Sequence, residues 1–558
     1  MYNLRRSFSL YYSFGQNHFL FSVNQLRTSI RLALFLALTT LNLNAQNSSE
    51  MLKWHDIDSK ANRTLIYTSA ADNNAVYYTK NVGLLKPKEF KVIKSDYNFK
   101  NKAEIDLLAS GKNARVSSRL SVLDANDGKT LGMESTSGFV KGQFPISLKY
   151  GLLDANLKMV SSPKILKMAP DAMIPVNMMD MTDIINNRYI MSLKYNDQFV
   201  ICYLHCSDQE GNLQVGIGRF DADYNLVSNE LIEIPIQANR IMDARLTADA
   251  NFDSYYILLK ETSAKNPRKR FELNDGLGGS RNIISNEEKV GLSTIYRIQN
   301  GKTSNSFAIT DYKSQTTDMK ALSDGNILVV GLERGEKGNK FYGFYNYIFD
   351  SELKEITSSK LPFTDMMTAD MQRFTEKDKA LKLKIRHLKL IKLGSNYVSH
   401  IELSGYTEYI SNQGTSNQRS TFLIISYNDV FTQINEQGKF TGQTSMVVKE
   451  QREGGPNQRY TGSIIYEHDN KIHVLFNDTP ENLKSGSKVE RWEPQKMKKE
   501  ETIVRRIIID EDMKTVSKDV ISPKGAIAIM PSSSWSDSER TVVFATDTET
   551  TYGTVIVH

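Results

Sequence analysis

The chain has 558 residues, of which 40% are hydrophobic and 24% charged, a composition typical of a folded globular protein. Lys and Arg number 70 against 64 for Asp and Glu, and the two signs alternate along the chain, so we expect no nucleic-acid-binding surface. Only two cysteines are present, which excludes a fold held together by a disulfide framework. Two locally basic segments, 265–272 and 493–506, are interpreted as solvated loops.

The N-terminal segment is interpreted as a leader that contains a secretory signal. It lacks Asp and Glu over its first 49 residues, and the basic Arg27 and Arg31 precede an apolar run at 32–41. That run is shorter than the ~20 apolar residues that cross a bilayer. We therefore expect 1–45 to be removed and 46–558 to be exported without a transmembrane segment, to the periplasm, the outer membrane or the medium. A twin-arginine signal or an organelle transit peptide is the alternative.

Short apolar segments that alternate with polar residues follow through the rest of the chain. Examples are TLIYTSA (64–70), YYILLK (255–260) and RTVVFAT (540–546), all rich in β-branched and aromatic residues. Roughly 24 to 28 such segments are separated by turn clusters such as DG and NG, which predicts an all-β chain. One helix is predicted at 363–380, capped by Thr364, and a break of alternation near His387 predicts a β-bulge.

A strand–turn–strand unit recurs along the chain, as in RFDADYNLVSNELIEIP (219–235). An apolar strand ends at an Asp, two or three turn residues follow, and a Lys or Asn begins the return strand. The leading residues are Asp124, Asp154, Asp221, Asp350 and Asp510, with Asn435 in a looser copy.

The spacing of Asp221, Asp223 and Asn225 also resembles a calcium loop. Such a loop needs Gly at its sixth position and Glu at its twelfth, but Leu226 and Ile232 stand there. We therefore interpret the units as hairpins in which the Asp side chain caps the turn.

The recurring units predict a β-propeller of about six to eight irregular blades. The mature length exceeds what compact blades require, so long loops are expected at 264–289, 405–420 and 480–502. A pair of β-sandwich domains is the structural alternative.

The motifs of common catalytic and metal chemistry are not recognised. Cys202, His205 and Cys206 resemble a zinc site, but on one strand the two cysteines lie ~13 Å apart and His205 points to the other face. We expect buried free thiols, no metal and no cofactor. DGKT and NGKT lack the leading Gly of a phosphate loop, and carboxylate pairs of a glycosidase cannot be identified from spacing alone.

The last third of the chain, about 381–558, resembles a family of uncharacterised exported β-propeller-like proteins of Gram-negative bacteria. The resemblance rests on LKIRHLKLIKLGSNYVSHIE (383–402), YNDVFTQINEQGKF (427–440), VVKEQ (447–451) and YTGSIIYEHDNKIHVLFNDTPEN (460–482). An aromatic residue expected within 441–445 is missing. The resemblance implies export and β architecture, and it places Lys449, Gln451, Phe476, Asn477 and Asp478 at the family's motif positions.

The segment KEQREGGPNQRY (449–460) is polar and broken by Gly and Pro, which is typical of a loop that binds a ligand or of a plain solvated loop. The predicted ligand-face residues are Lys449, Gln451, Arg452, Arg459, Asn477 and Asp478. We expect an exported, non-enzymatic binding or scaffold protein of the cell envelope whose partner is an envelope protein or a glycan. A glycan hydrolase with carboxylates gathered from several blades is the alternative.

Overall fold

The structure is a computed structural model, and the chain divides into two units, Met1–Lys53 and Trp54–His558. The predicted leader, the cleavage near residue 46 and the alternative signals lie outside the described residues. No helix among the described residues has the length and apolar character needed to cross a membrane. The structure describes residues 53–57, 62–69, 75–82, 89–96, 102–106, 116–126, 128–138, 145–160, 162–178, 189–195, 198–262, 290–309, 317–334, 341–365, 367–368, 382–411, 419–454, 460–484, 489–494, 501–522, 527–536, 541–546 and 552–557.

The described strands form eight antiparallel sheets, most of which are simple four-stranded meanders. β1 (Lys53–Ile57) belongs to the last sheet. The first three sheets contain β2 (Asn62–Ser69), β3 (Ala75–Val82), β4 (Glu89–Asp96), β5 (Lys102–Asp106); β6 (Val116–Asn126), β7 (Lys129–Gly138), β8 (Ile146–Leu153), β9 (Lys164–Ile165); and β10 (Ile190–Tyr195), β11 (Gln198–His205), β12 (Asn212–Phe220), β13 (Leu226–Gln237).

The fourth to sixth sheets follow the same order along the chain. They contain β14 (Ile241–Ala248), β15 (Ser254–Thr262), β16 (Val290–Gln299), β17 (Lys302–Ile309); β18 (Thr317–Ala321), β19 (Ile327–Arg334), β20 (Phe341–Phe349), β21 (Glu355–Pro362); and β22 (Lys382–Leu393), β23 (Asn396–Ser411), β24 (Arg419–Ile434), β25 (Phe440–Val447), with β26 (Gln451–Gly454) paired to β24.

The last two sheets complete the set. They contain β27 (Ile464–His468), β28 (Lys471–Asp478), β29 (Ile503–Ile509), β30 (Thr515–Val520); and β31 (Ala528–Ser536), β32 (Thr541–Thr546), β33 (Tyr552–Val557) with β1 at its far edge. Short 3₁₀ turns lie at Val176–Met178, Ala238–Arg240 and Pro480–Leu483.

The sheets follow one another around a ring, as the blades of a propeller do. The first strand of each sheet is the inner one: β31, β2 and β6 lie side by side, and so do β10, β14, β18, β22, β27 and β31. Tyr150 of the second sheet meets Phe220 of the third edge to face, with ring centroids 5.1 Å apart. Because the N-terminal β1 supplies the outer strand of the last sheet, the first and last parts of the chain close the ring. The eight sheets confirm the predicted propeller and exclude tandem β-sandwiches.

Successive strands run in opposite directions, so each end of the propeller receives a different class of connection. The turns between first and second strands, and between third and fourth, lie at one end, which we call the tight-turn end; Asn300–Gly301 and Asp469–Asn470 are examples. The connections between second and third strands, and between sheets, start and finish at the other end, which we call the long-connection end. There the chain between Thr262 and Val290 and that between Asp478 and Ile503 join neighbouring strands.

The recurring Asp units are hairpin turns. The side-chain Oδ1 of Asp154, Asp221, Asp350, Asp510 and Asn435 accepts a hydrogen bond from the backbone N–H four residues later, at 2.8–2.9 Å. Backbone hydrogen bonds to Asn225 and Asp223 hold the pKa of the Asp221 carboxyl below its usual value. The carboxylates therefore satisfy turn N–H groups, which confirms the turn interpretation.

The fourth residue of each such turn has a positive φ, which the sequence pattern does not indicate. Leu157, Tyr224, Leu353 and Met513 have φ between 59° and 63° and yet are at most 6% exposed. The burial of each apolar side chain offsets the cost of the left-handed backbone. In the Asn435 turn a glycine takes this position, since a Cβ on Gly438 would lie 2.0 Å from Ile348.

Asp124 does not cap a turn, which corrects the prediction for this residue. It lies within β6 and is 3% exposed; the Lys194 Nζ lies 2.9 Å from its Oδ2, and the Tyr224 hydroxyl donates to the same oxygen at 2.9 Å. The turn that follows is shorter, since Asn126 pairs directly with Lys129. Asp124 thus ties the second sheet to the third.

Two local predictions near the sixth sheet hold where they are described. Thr364 begins a helical turn: its hydroxyl accepts the Met367 N–H at 3.3 Å, while the rest of the predicted helix lies outside the described residues. The register shift between Ile385 and Leu388 is the predicted bulge. The predicted boundaries of the loop 405–420 are wrong, because β23 continues to Ser411 and β24 already begins at Arg419.

Candidate functional site: the charged seam between the sixth and seventh sheets

Most of the predicted ligand-face residues are buried. Lys449 and Gln451 are 1% exposed, Asn477 0% and Asp478 2%. Arg452 is half-buried, with its Nη1 3.6 Å from Glu493, and Arg459 lies outside the described residues. The expectation of an exposed loop is therefore wrong for the first residues of this segment, and their role in ligand binding stays a prediction.

Lys449 belongs to a cluster that we call the charged seam: His400, Glu402, Asp429, Lys449 and Ser463. In the strand register His400 lies opposite Phe431 and Glu402 opposite Asp429, so these side chains share one face of the sixth sheet. Apolar side chains on the same face pack against the seventh sheet; they are Leu393, Val398 and Phe431 against Ile472, Val474 and Phe476.

The ion pairs of the charged seam are short and fully enclosed. The Lys449 ammonium lies 2.7 Å from Asp429 Oδ2 and 3.6 Å from Glu402 Oε1, and all three side chains are at most 3% exposed. His400 Nε2 lies 2.9 Å from the other oxygen of Asp429 and stacks on Phe431. The two carboxylates of Asp429 and Glu402 thus share the charge of Lys449.

Serine hydroxyl groups donate further hydrogen bonds to the two carboxylates. Ser463 Oγ donates to Asp429 Oδ2 at 2.6 Å, Lys449 donates to the same serine, and Ser426 donates to Glu402. Burial raises the pKa of Asp429, but the Lys449 charge and the His400 hydrogen bond outweigh burial and hold that pKa well below its usual value. Asp429 is therefore ionised at neutral pH.

A serine, an aspartate and a histidine meet here in an order that does not support nucleophilic catalysis. Ser463 and His400 bind different oxygens of Asp429, so the carboxylate stands between them. In a catalytic triad the histidine contacts the serine and removes its proton. Hence the charged seam joins the seventh sheet, through Ser463, to the sixth.

A second polar network extends this junction to the eighth sheet. Gln451 Nε2 donates to the backbone oxygen of Asn477 at 2.8 Å, and its Oε1 accepts the Gly462 N–H at 2.8 Å. Asn477 Nδ2 donates to the carbonyls of Tyr460 and Ile529, and its Oδ1 accepts the Ile529 N–H, all at 2.8 Å. These two amides consequently join three consecutive sheets.

Asp478 anchors the end of β28. Its Oδ1 accepts the Thr479 N–H at 2.8 Å and the Asn482 amide at 2.6 Å, and its Oδ2 binds Arg505 Nη1 at 2.8 Å. Arg505 and Arg506 lie in β29, at 13% and 7% side-chain exposure, so this part of the basic segment 493–506 is not a solvated loop.

Trp492 fixes the connection between β28 and β29 onto the sixth sheet. Its side chain is 0% exposed, and its indole N–H donates to Thr502 Oγ1 at 3.1 Å. Its backbone N–H donates to the Glu450 carbonyl, and its carbonyl accepts the Arg452 N–H, both at 2.9 Å. Arg491 adds an ion pair of 2.6 Å to Glu450. This connection therefore contributes to the junction instead of remaining a free loop.

The two cysteines form no disulfide and are buried, as predicted. Burial raises the pKa of both thiols, which keeps them protonated. His205 is also buried and accepts the Ala169 N–H at its Nε2 over 3.0 Å. Among the described residues no group of three or more His, Cys, Asp or Glu side chains is arranged to hold a metal ion.

Two buried histidines should make the fold sensitive to mild acid. Burial lowers the pKa of His205 and of His473 to about 4, below the 6.5 of an unfolded chain. Their contribution to stability is therefore complete above pH 6.5 and is lost as the pH falls towards 4. We expect the free energy of unfolding, measured in guanidinium, to fall by about 2 kcal/mol per histidine between pH 7.5 and pH 5.

A substitution separates this effect from the general effects of acid. In His473→Phe the aromatic ring can still stack on Tyr466. The fall in the free energy of unfolding between pH 7.5 and pH 5 should then be smaller by about 2 kcal/mol, the contribution of one histidine. His468→Gln removes a neighbouring charge that helps to lower the pKa of His473, and should therefore reduce the loss only slightly. An unchanged pH dependence in His473→Phe would contradict the assignment.

No family model matches the sequence, and no curated protein matches it. The solved structures that match the chain include the β-propeller domain of the trilobed protease from Pyrococcus furiosus (11% identity, TM-score 0.22, 66% of this chain and 92% of that one). They also include an α-L-arabinanase from Penicillium chrysogenum (11%, 0.27, 68% and 99%) and an apocarotenoid oxygenase mutant from Synechocystis (8%, 0.33, 90% and 94%). At these identities and scores the similarities carry no argument about activity.

Proposed function

We propose that the protein is an exported, non-enzymatic binding or scaffold protein of the cell envelope, and that its partner binds at the long-connection end. The observation that supports the proposal most is the unequal distribution of connections. The tight-turn end is made of short hairpins, whereas the connections after Thr262, Ser411 and Asp478 all leave from the other end. Binding residues in proteins concentrate on loops that a rigid scaffold positions.

The junction around the charged seam supplies the rigid scaffold for such a surface. It lies beneath the long-connection end and fixes the start of the seventh sheet, through Ser463, and the Trp492 segment. Buried charges that are all paired are costly to separate, so neighbouring sheets held in this way keep a constant spacing. A constant spacing favours the binding of one extended partner across several sheets.

A cross-linking purification tests the proposal. The mature chain, 46–558, is tagged, expressed with its leader in its own host and recovered from the envelope fractions. We expect one or two stoichiometric envelope proteins or a glycan to co-purify. A variant in which 263–289 is replaced by an Asn-Gly turn shortens one long connection between paired strands and should lose or weaken the partner.

A matched control changes the opposite end. Glu436→Arg with Asp512→Arg alters exposed turn positions at the tight-turn end and should retain the partner. Recovery of the mature chain only in the cytosol would contradict export. An empty purification from a folded, exported protein would contradict the binding role.

A glycan hydrolase is the second candidate, favoured by one pair of acids on neighbouring inner strands. Arg245 Nη1 lies 2.9 Å from Asp243 and its Nε lies 3.8 Å from Asp318. Burial raises the pKa of Asp318, as a general acid requires. Release of reducing sugar from envelope glycans by the purified protein, abolished in Asp318→Asn, would support this candidate; no release from any glycan fraction would eliminate it.

A further inference from the structure

The charged seam places an amine and a carboxyl group in contact inside the protein. The Lys449 ammonium lies 2.7 Å from Asp429 Oδ2, and both side chains are 0% exposed. Glu402, opposite Asp429 in the register of β23 and β24, lies 3.6 Å from the same ammonium. An amine, a carboxyl group and a second acid therefore meet where burial excludes bulk water. These are the groups that form an amide bond, and their burial opposes its hydrolysis.

The backbone holds the two reacting side chains in register. Val447, the last residue of β25, lies opposite Asp429 of β24, and Lys449 follows two residues later. The Lys449 N–H donates to the Asn428 side-chain oxygen at 3.1 Å, and its Nζ lies 6.0 Å from the ring centre of Phe476. Lys449 and Asp429 are thus brought together by the fold. Reacting groups that a fold fixes in contact behave as if they were present at a concentration far above any attainable in solution.

Three neighbouring side chains are placed to carry the protons and the charge of such a reaction. Ser463 bridges the pair, since it accepts a hydrogen bond from Lys449 Nζ and donates one to Asp429 Oδ2 at 2.6 Å. His400 Nε2 lies 2.9 Å from Asp429 Oδ1, and because a carboxylate only accepts, this nitrogen carries the proton. Glu402 is a base within reach of the amine. The nitrogen and both carboxyl oxygens therefore each have a partner.

We propose that Lys449 and Asp429 form an intramolecular isopeptide bond, with Glu402 as the base. The ion pair is the state of the site before the bond forms. A proton first passes from the ammonium through Ser463 to Asp429 Oδ2, which gives a neutral amine and a neutral carboxyl group. Burial lowers the cost of this transfer, because a neutral pair loses less solvation in a closed site than an ion pair does.

The bond then forms with the loss of one water molecule. The lone pair of Nζ attacks Asp429 Cγ, the Nζ–Cγ bond forms, and the electron pair of the C=O bond moves to Oδ1, where the His400 N–H stabilises the negative charge. Glu402 takes one proton from the nitrogen and returns it to Oδ2. The Cγ–Oδ2 bond breaks, the oxygen leaves as water with both protons, and Oδ1 becomes the amide oxygen. The reaction consumes no oxidant, reductant or cofactor.

A reaction within the chain needs neither a cavity nor a partner, which suits a fully enclosed cluster. It is independent of the function proposed above. The bond links β24 to the segment that follows β25 and closes a covalent ring over 429–449. Lys449→Met removes both the ion pair and the bond, so the mass of the chain, and not its stability, distinguishes the two.

The mass of the intact chain tests the proposal. The mature chain, 46–558, is purified from its host and its mass is measured under denaturing conditions. We expect a mass below that of the sequence by one water molecule. Lys449→Arg keeps the positive charge without the amine, and Glu402→Gln removes the base, so both should have the full mass of their sequences. Lys439→Met changes an exposed turn lysine of the same sheet and should still lose the water.

Peptide mapping locates the bond. A bond at Lys449 blocks tryptic cleavage there and joins the peptides 420–439 and 440–452. The joined peptide has the same mass as the linear peptide 420–452, which results when trypsin fails to cut at Lys439. N-terminal sequencing distinguishes them, because the joined peptide has two N-termini and releases two residues in each cycle.

The wild-type chain decides the outcome even if the variants do not fold. A folded wild-type chain that has the full mass of its sequence after prolonged incubation would overturn the proposal. A loss of water located elsewhere, including a bond from Lys449 to Glu402, would overturn the assignment to Asp429.

Discussion

Replacing Lys449 by methionine is expected to lower the free energy of unfolding by about 3–5 kcal/mol. The substitution keeps most of the apolar stem of the side chain and removes the ammonium group, with its charge and its hydrogen bond to Ser463. Asp429 and Glu402 then remain buried, at 0% and 3% side-chain exposure, without the ammonium that lies 2.7 Å and 3.6 Å from them. Since water cannot replace that charge in the closed junction, the loss far exceeds that of a surface lysine. Equilibrium denaturation in guanidinium at pH 7.5 measures the change.

Two further variants decide whether the charge is responsible. Lys439→Met alters an exposed turn lysine of the same sheet and should change stability by less than about 0.5 kcal/mol. Adding Asp429→Asn to Lys449→Met removes one uncompensated charge and should recover part of the loss, since His400 and Ser463 can still bind the amide. A loss below about 1 kcal/mol in Lys449→Met would contradict the charged seam as a source of stability.

The β-strand pattern was the most predictable part of this fold. Segments such as 255–260 and 327–332 are short apolar runs rich in β-branched and aromatic residues, which are typical of strands that are buried on both faces, as these two are. The Asp units were also recognisable, because an acid after an apolar strand satisfies turn N–H groups wherever it occurs. Asp249 forms a further copy with Phe252 in the left-handed position, and it departs from the sequence pattern because Asp253, not Lys or Asn, begins the return.

The charged seam could not be predicted in the same way, since it depends on which strands face each other across two sheets. His400 and Glu402 occupy positions of β23 whose alternation suits an apolar face, and Asp429 does so in β24. Charged residues at positions that suit an apolar face were the only feature of the sequence that could have indicated a buried ion-pair cluster. Lys449 and Gln451 were selected as exposed loop residues, because their polarity is also typical of solvent-facing loops. Only the packing of the seventh sheet against the sixth shows that they are enclosed.

The buried side chain of Trp492 packs the connection between β28 and β29 into the core. We expect its removal to lower the free energy of unfolding about as much as Lys449→Met does. Trp492→Ala removes a side chain that is 0% exposed and leaves a cavity, so we expect the free energy of unfolding to fall by about 3–5 kcal/mol. The Thr502 hydroxyl also loses the indole donor that lies 3.1 Å away. Thermal and guanidinium denaturation measure the loss, and hydrogen exchange locates it.

The location of the loss distinguishes the role of Trp492 in joining two sheets from simple burial. The backbone N–H of Trp492 donates to the Glu450 carbonyl, and the Arg452 N–H donates to the Trp492 carbonyl. If the indole holds these strands together, its removal should accelerate amide hydrogen exchange first in 449–454 and 489–494. Trp492→Phe retains much of the apolar volume and should keep those amides protected while losing less stability. If protection in these two segments were unchanged in Trp492→Ala, the connection would be held by contacts other than those of the Trp492 side chain.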